Sequence, residues 1–104
     1  MINKELIKLL QADKVGNFNQ LRVDYPDAVI DLRGVDLRSA DLSYADLQDA
    51  DLQGAILRNV DFRGANLIGV RLIGADLEGA IFDKSQIAML PKLLRIKVVE
   101  DNNE

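Results

Sequence analysis

Leucine or phenylalanine stands at every fifth position from Leu32 to Phe82, and a small or β-branched residue precedes each of them by two positions. Residues five positions apart point to opposite faces of a straight strand and lie about 140° apart around an α-helix. Neither element keeps the leucine and phenylalanine positions and the small-residue positions in one core, whereas a chain that turns a corner once per five residues does. The pattern therefore predicts a solenoid, in which stacked coils bury what one coil cannot. The predicted structural core consists of Leu32, Leu37, Leu42, Leu47, Leu52, Leu57, Phe62, Leu67, Leu72, Leu77 and Phe82, with Ala40, Ala45, Ala50, Ala55, Ala65, Ala75 and Ala80.

A five-residue motif, Ala-Asp/Asn-Leu-x-Gly, recurs within this pattern. It occupies residues 50–54, 65–69 and 75–79, and residues 40–44 match it with Tyr44 in place of the glycine. On these residues the chain resembles the pentapeptide-repeat proteins. The resemblance implies an all-β solenoid, a right-handed quadrilateral β-helix with four repeats per coil, so that the chain holds nearly three coils. It implies a scaffold and does not specify one function.

Helical periodicity replaces the five-residue pattern in residues 1–26. An apolar stripe from Ile2 to Leu10 predicts a helix, and Gly16 suits its left-handed end. A second short helix can follow, or the two can form one kinked helix. The first coil of a solenoid exposes an apolar end and unpaired main-chain groups that must be covered. We therefore expect an N-terminal helical cap, with a partner-binding helix as the alternative.

The C-terminal segment carries more apolar residues than a free tail would. Pro91 suits the first turn of a helix, and the alternation from Leu94 to Val98 is typical of a strand. This segment either folds over the last coil as a cap or packs against a second copy of the chain. The sequence thus divides into an N-terminal helical cap (1–26), a β-helix of pentapeptide repeats (27–87) and a short C-terminal capping or dimerisation segment with a frayed tail (88–104).

Isoleucines occupy outward positions of the later coils, where the first coil carries polar residues such as Arg33 and Gln48. Single exposed apolar residues are normal, but this gradient along the solenoid predicts a covered patch. The cover comes from the C-terminal segment of the same chain or of a second copy, and a homodimer through the C-terminal end is slightly favoured. The candidate interface residues are Ile68, Ile73, Ile81, Leu90, Leu93, Leu94 and Ile96.

The formal net charge of −4 falls within residues 31–84, where ten acidic side chains outnumber six basic ones. An acidic surface repels nucleic acid, so no nucleic-acid partner is expected. The resemblance offers one alternative function, because some pentapeptide-repeat proteins mimic B-form DNA in shape and charge and bind type II topoisomerases. Arginines interrupt the acidic surface, however, which favours a protein–protein interaction or structural module whose partner the sequence does not name.

Catalytic chemistry finds no support, because the sequence contains neither cysteine nor histidine. Stacked aspartates such as Asp31 and Asp51 offer only a weak cation site, and solvated aspartates are far commoner. We therefore expect no catalytic residue, no cofactor and no metal, and a protein that is not an enzyme. No apolar run approaches the roughly 18 residues of a membrane span, and the N-terminus lacks the features of a signal peptide, so we expect a cytoplasmic protein without membrane contact.

Overall fold

Parallel β-bridges between residues twenty positions apart form the body of the protein. In the computed structural model, whose described residues are 2–94, each bridge joins one five-residue repeat to the repeat one coil further along the chain. The bridges fall into four columns, so each coil has four faces. This architecture is the β-solenoid expected from the five-residue pattern. The columns are Asp31–Asp51–Arg71 on face 1, Asp36–Ile56–Asp76 on face 2, Asp41–Asp61–Ile81 on face 3 and Asp46–Asn66 on face 4.

A tight turn closes each five-residue repeat. The main-chain N–H of Val35 donates to the carbonyl oxygen of Leu32 across 3.2 Å, and the equivalent bond recurs along the solenoid. The corner residue inside this turn has a positive φ, which is 68° at Gly34. Residues other than glycine rarely adopt this conformation, and Asn is among those that tolerate it best, as at Asn59 with a φ of 60°. Tyr44 adopts it as well, with a φ of 63°.

The large inward residues meet along the centre of the coils. Leu57 of the middle coil is fully buried, and the rings of Phe62 and Phe82 stack with their centroids 5.0 Å apart. Burial declines in the last coil, because no further coil covers it. Of the predicted core, the buried residues are Leu32, Leu37, Ala40, Leu42, Ala45, Leu47, Ala50, Leu52, Ala55, Leu57, Phe62, Ala65, Leu67 and Leu72, and the half-buried ones are Ala75, Leu77, Ala80 and Phe82.

Two helices cover the N-terminal end of the solenoid. Helix α1 spans Ile2–Gln11 and helix α2 spans Val15–Asp24. Asp13, with a φ of 59°, makes the break between them, so the prediction of a left-handed end at Gly16 is wrong and Gly16 lies inside α2. A short polar side chain can bond locally in this conformation, which explains why an aspartate serves here. The helices contribute Leu6, Leu10 and Phe18 to the core of the solenoid.

Two single-turn helices follow the last coil. Helix α3 spans Lys84–Ile87 and helix α4 spans Leu90–Leu93, with Pro91 in its first turn as predicted. The predicted extension of the β-helix to residue 87 is wrong, because Asp83 and Gln86 form a reciprocal capping box that starts α3 instead of another repeat. The strand predicted from Leu94 to Val98 falls outside the described residues beyond Leu94.

Candidate protein-interaction surface

Inside the solenoid, main-chain groups of each face pair with the coils before and after. Leu32 N–H donates to Asp51 O across 2.8 Å, and Asp51 N–H donates to Ile30 O across 2.9 Å. The first coil has no preceding coil, and on face 1 the side-chain amide of Asn3 takes its place. It donates to Asp31 O across 2.8 Å and accepts from Asp31 N–H across 3.1 Å. One asparagine thus reproduces both bonds of a missing strand.

Side chains also bond to the other three faces of the first coil, with one bond each on faces 2 and 3. Asn19 of α2 donates to Tyr44 O across 3.0 Å and accepts from Asp46 N–H across 2.8 Å on face 4. The N-terminal end therefore has a side-chain partner on every face. The remaining contacts are Gln11 with Asp36 O at 3.1 Å on face 2, Asp13 with Asp41 N–H at 2.9 Å on face 3, and Arg22 with Asp46 O at 3.0 Å and Gln48 O at 2.9 Å on face 4.

The C-terminal end is closed only in part among the described residues. Gly64 N–H donates to an Asp83 carboxylate oxygen across 2.8 Å, and the Gln86 amide donates to Phe62 O at 2.6 Å and Ala65 O at 3.0 Å. Gln86 is 3% exposed, although the register of the coils would place it outward on face 4, after Asp46 and Asn66. The side chain turns inward because the capping box ends the repeat pattern at Asp83.

At the edge of the last coil between faces 4 and 1, helix α4 supplies only part of the missing main-chain pairing. Leu72 N–H donates to Leu93 O across 3.2 Å. Gly69 N–H and Val70 C=O have no main-chain partner within residues 2–94. In the register of the coils Pro91 would be the donor to Val70 C=O, as Arg71 N–H is to Ala50 O across 3.1 Å. Proline has no N–H, so that bond cannot form.

A groove of about 640 Å³ lies at this edge, between the last coil and residues 88–93, which include helix α4. Its apolar walls include Ile68 and Ile73, which are 58% and 37% exposed. Two basic side chains, Arg71 and Lys92, also line it. The complete lining is Ile68, Gly69, Val70, Arg71, Ile73, Ala88, Met89, Lys92 and Leu93. We call this feature the edge groove.

The candidate interface residues divide into two groups in the structure. Ile68, Ile73 and Ile81 are exposed on the outside of the later coils. Leu93 is buried, and Leu90 and Leu94 are half-buried against the core. Helix α4 therefore covers part of the last coil from within the same chain and leaves the three isoleucines in solvent. Ile96 lies outside the described residues.

Arginine–aspartate pairs neutralise much of the acidic surface. Arg33 meets Asp31 at 2.8 Å, and the hydrogen-bonded guanidinium lowers the pKa of Asp31 from its ordinary 3.8 to about 2. The corresponding arginines likewise lower the pKa values of Asp36, Asp61 and Asp76 by hydrogen bonding. The remaining pairs are Arg33–Asp51 at 3.9 Å, Arg38–Asp36 at 2.8 Å, Arg63–Asp61 at 2.8 Å, Arg58–Asp76 at 2.6 Å and Arg58–Glu78 at 3.2 Å.

The face aspartates also serve the turns of the solenoid. The carboxylate of Asp41 accepts from Ser43 N–H at 3.0 Å, and that of Asp51 accepts from Gln53 N–H at 3.1 Å. Each such bond spans two residues and supports the local turn.

Arg71 differs from the other arginines of the coils, because it pairs with no carboxylate of residues 2–94. Among residues 2–94, no group of three or more acidic side chains is arranged to hold a metal ion. None of the helices in this part of the chain has the length and apolar character that crossing a membrane requires.

The sequence profile of the family described as Pentapeptide repeats matches residues 30–54 and 45–83 of this chain, with eight copies of the repeat. No curated protein matches the chain. Among solved structures, the pentapeptide repeat protein Rfr23 from the cyanobacterium Cyanothece 51142 is 42% identical over 52% of this chain and 40% of its own, with a TM-score of 0.39. The pentapeptide repeat protein alr5209 from Nostoc Pcc 7120 is 37% identical over 54% of this chain and 59% of its own, with a TM-score of 0.28.

Proposed function

Because this chain belongs to the pentapeptide-repeat family, we propose that it is a non-enzymatic scaffold that binds another protein at the C-terminal end of its solenoid. The difference between the two ends carries this proposal. At the N-terminal end, side chains of α1, α2 and their connection bond to all four faces. At the C-terminal end, Ile68 and Ile73 remain exposed in the edge groove, and Ile81 is exposed on face 3. A cluster of exposed apolar side chains on one end of a scaffold is typical of a protein-binding surface.

The same proposal includes finer features of the fold. Residues 1–26 act as one cap, which the hydrogen bonds of Asn3 and Asn19 support. Residues 88–104 act as the other, which the bond from Leu72 N–H to Leu93 O and the burial of Leu93 support for its described part. Membership of the family supports a right-handed sense of the coil. A cytoplasmic location agrees with the absence of cysteine from the sequence.

Quantitative affinity capture with matched variants tests the scaffold proposal. The test variant is Ile68→Lys/Ile73→Lys, and the control is Val23→Lys/Val29→Lys, whose valines are 70% and 80% exposed at the other end of the molecule. We expect wild type and control to retain the same protein from an extract of the source cells and the test variant to lose it. Circular dichroism verifies that all three proteins are folded. Equal loss from both variants, or no protein retained above background, contradicts the proposal.

A second copy of the chain is one candidate partner of this end. Light scattering of the wild type at micromolar concentration tests it directly, because a homodimer doubles the measured mass. The exposed isoleucines predict that Ile68→Lys/Ile73→Lys converts such a dimer to monomer. A wild-type mass of one chain rules out the homodimer and leaves a different protein as the partner.

A further inference from the structure

The edge groove combines apolar walls with positive charge on an otherwise acidic molecule. Ile68, Ile73 and Met89 provide apolar surface, and Arg71 and Lys92 provide two cations. The net charge of the chain is −4, so a uniformly acidic partner would be repelled by most of the surface. Within the acidic solenoid, the cations that line the groove attract acidic side chains. The groove therefore favours a ligand whose acidic groups are interleaved with apolar ones.

The groove also offers main-chain hydrogen-bonding groups. Gly69 and Val70 line it, and neither Gly69 N–H nor Val70 C=O has a main-chain partner among residues 2–94. In earlier coils the equivalent groups of Asp49 and Ala50 pair with Ile68 and Arg71 of the next coil, at 2.8 and 3.1 Å. A strand placed along the last coil would continue this ladder. Unpaired sheet edges bind extended segments in this way.

The charge of the groove disfavours a second copy as its occupant. In a twofold dimer the same patch faces itself, so the cations of both copies would enter one interface. Like charges brought together in an interface oppose association. The other arginines of the coils pair with carboxylates of their own chain, whereas Arg71 has no such partner among the described residues. It is available to a carboxylate from another protein.

We propose that the edge groove binds an extended segment of a partner protein in which apolar and acidic residues alternate. The segment adds as a strand to the last coil, through Gly69 N–H and Val70 C=O. Its apolar side chains pack on Ile68 and Ile73, and its carboxylates bind Arg71 and Lys92. This inference rests on the proposed function and specifies the chemistry of the partner at the same surface.

Fluorescence anisotropy with two synthetic peptides tests the inference on the full chain. The probe is an eight-residue labelled peptide that alternates valine and glutamate, and the reference peptide carries lysine in place of each glutamate. We expect the glutamate peptide to bind at least about tenfold more tightly than the lysine peptide. The charge reversal Arg71→Glu/Lys92→Glu should invert this preference. Equal affinity for the two peptides, or no binding of either, overturns the inference.

A matched control separates the groove from the overall charge. Lys4→Glu/Lys8→Glu reverses two exposed lysines of α1 and changes the net charge by the same amount. We expect it to keep the wild-type preference for the glutamate peptide, and loss of that preference in the control overturns the inference.

Two further outcomes would identify a different occupant of the groove. A wild-type dimer that the peptide dissociates identifies a second copy as the occupant and overturns the inference. Tighter peptide binding in Glu100→Gln/Asp101→Asn identifies the chain's own acidic end as the occupant and likewise overturns it. The capture experiment with Ile68→Lys/Ile73→Lys is independent of these results, so a failed scaffold and a wrong ligand chemistry remain distinguishable.

Discussion

At the scale of single residues, the corners of consecutive coils constrain one another. A β-carbon added to Gly69 would overlap the carboxylate of Asp49, and one added to Gly79 would overlap the side-chain amide of Asn59. In each case the corner side chain of one coil lies over the glycine of the next. At Gly34 the same β-carbon meets no atom within 4 Å. The larger corner side chains Tyr44, Asp49 and Asn59 are thus each followed by glycine one coil further on, whereas the small Ser39 is followed by Asn59.

This constraint predicts different costs for two similar substitutions. Gly34→Ala and Gly69→Ala both place alanine at a positive φ, of 68° and 72°, which costs roughly 1–2 kcal/mol in each case. Only Gly69→Ala must also displace Asp49. We expect its free energy of unfolding, measured by urea denaturation, to fall by about 1 kcal/mol more than that of Gly34→Ala. Adding Asp49→Gly should remove the excess. Equal losses of unfolding free energy in Gly34→Ala and Gly69→Ala would show that the Asp49 side chain moves aside without an energetic cost.

At the scale of elements, side chains rather than strands close the ends of the solenoid. On face 4, Arg22 donates to Asp46 O and Gln48 O, and Asn19 accepts from Asp46 N–H, as a preceding coil would. Asp83 and Gln86 do the same at the other end, for Gly64 N–H and Ala65 C=O. The exposed ladder of a repeat array is thereby capped without a further coil. Such capping is what an isolated array needs to remain folded and unaggregated.

Replacing Asn19 by alanine should weaken the N-terminal cap. The change leaves Tyr44 C=O and Asp46 N–H without their side-chain partner, and we expect it to lower the free energy of unfolding by about 1–2 kcal/mol. Asn17→Ala is the control, because it makes the same change in helix propensity at an exposed position of α2. Thermal unfolding followed by circular dichroism measures both. Similar melting temperatures for the two variants would show that water replaces the Asn19 amide without cost.

Sequence periodicity predicts the repeating part of this molecule better than its ends. The core columns and the solenoid follow from a five-residue period, because each coil repeats the same environment. The side chains that cap the coils follow no period, since Asn3 and Asn19 meet the first coil only through the way the helices dock. Gln86 continues the face 4 column in sequence, yet the spacing of Asp83 and Gln86 is that of a capping box. The capping box can be recognised in the sequence, but the five-residue repeat predicts an outward position for Gln86 instead.

The edge groove is predictable only in part for the same reason. The outward isoleucines Ile68 and Ile73 follow from their register in the coils. Met89 and Lys92 enter the groove through short helices after the repeats, whose placement no period determines. Arg71 belongs to the face 1 column in sequence, where its neighbours are aspartates. The sequence does not predict that Arg71 lacks a carboxylate partner among the described residues, because this depends on side-chain rotamers and interatomic distances.

At the scale of the whole molecule, the net charge of −4 is the sum over two different surfaces, one with paired charges and one with cations. Faces 1 to 3 carry arginine–aspartate pairs, in which the acid is largely neutralised by a neighbour two residues or one coil away. The edge groove instead carries cations among apolar walls. A continuous acidic surface is what a mimic of DNA requires, and the pairs interrupt it. The mimic hypothesis stays a prediction to which these contacts lend no support.

The paired aspartates also predict how stability depends on pH. Hydrogen bonds from Arg33, Arg38 and Arg63 lower the pKa values of Asp31, Asp36 and Asp61 in the folded chain. A carboxyl with a lower pKa when folded stabilises the fold above its unfolded pKa of 3.8, and this contribution is lost as the pH falls toward the folded value, about 2 for Asp31.

Urea denaturation at constant ionic strength, repeated at several pH values, tests this dependence. We expect the free energy of unfolding to fall between about pH 5 and about pH 2, because protonation removes the charge that each arginine binds. The contribution of each pair is small, since the groups are exposed and screened by solvent and salt. Arg33→Gln removes the cause of the lowered pKa of Asp31, so this variant should lose less stability over the same interval, whereas Lys4→Gln should follow the wild type. Stability that rises on acidification, or identical slopes for wild type and Arg33→Gln, would show that the ion pairs of the faces do not couple folding to protonation.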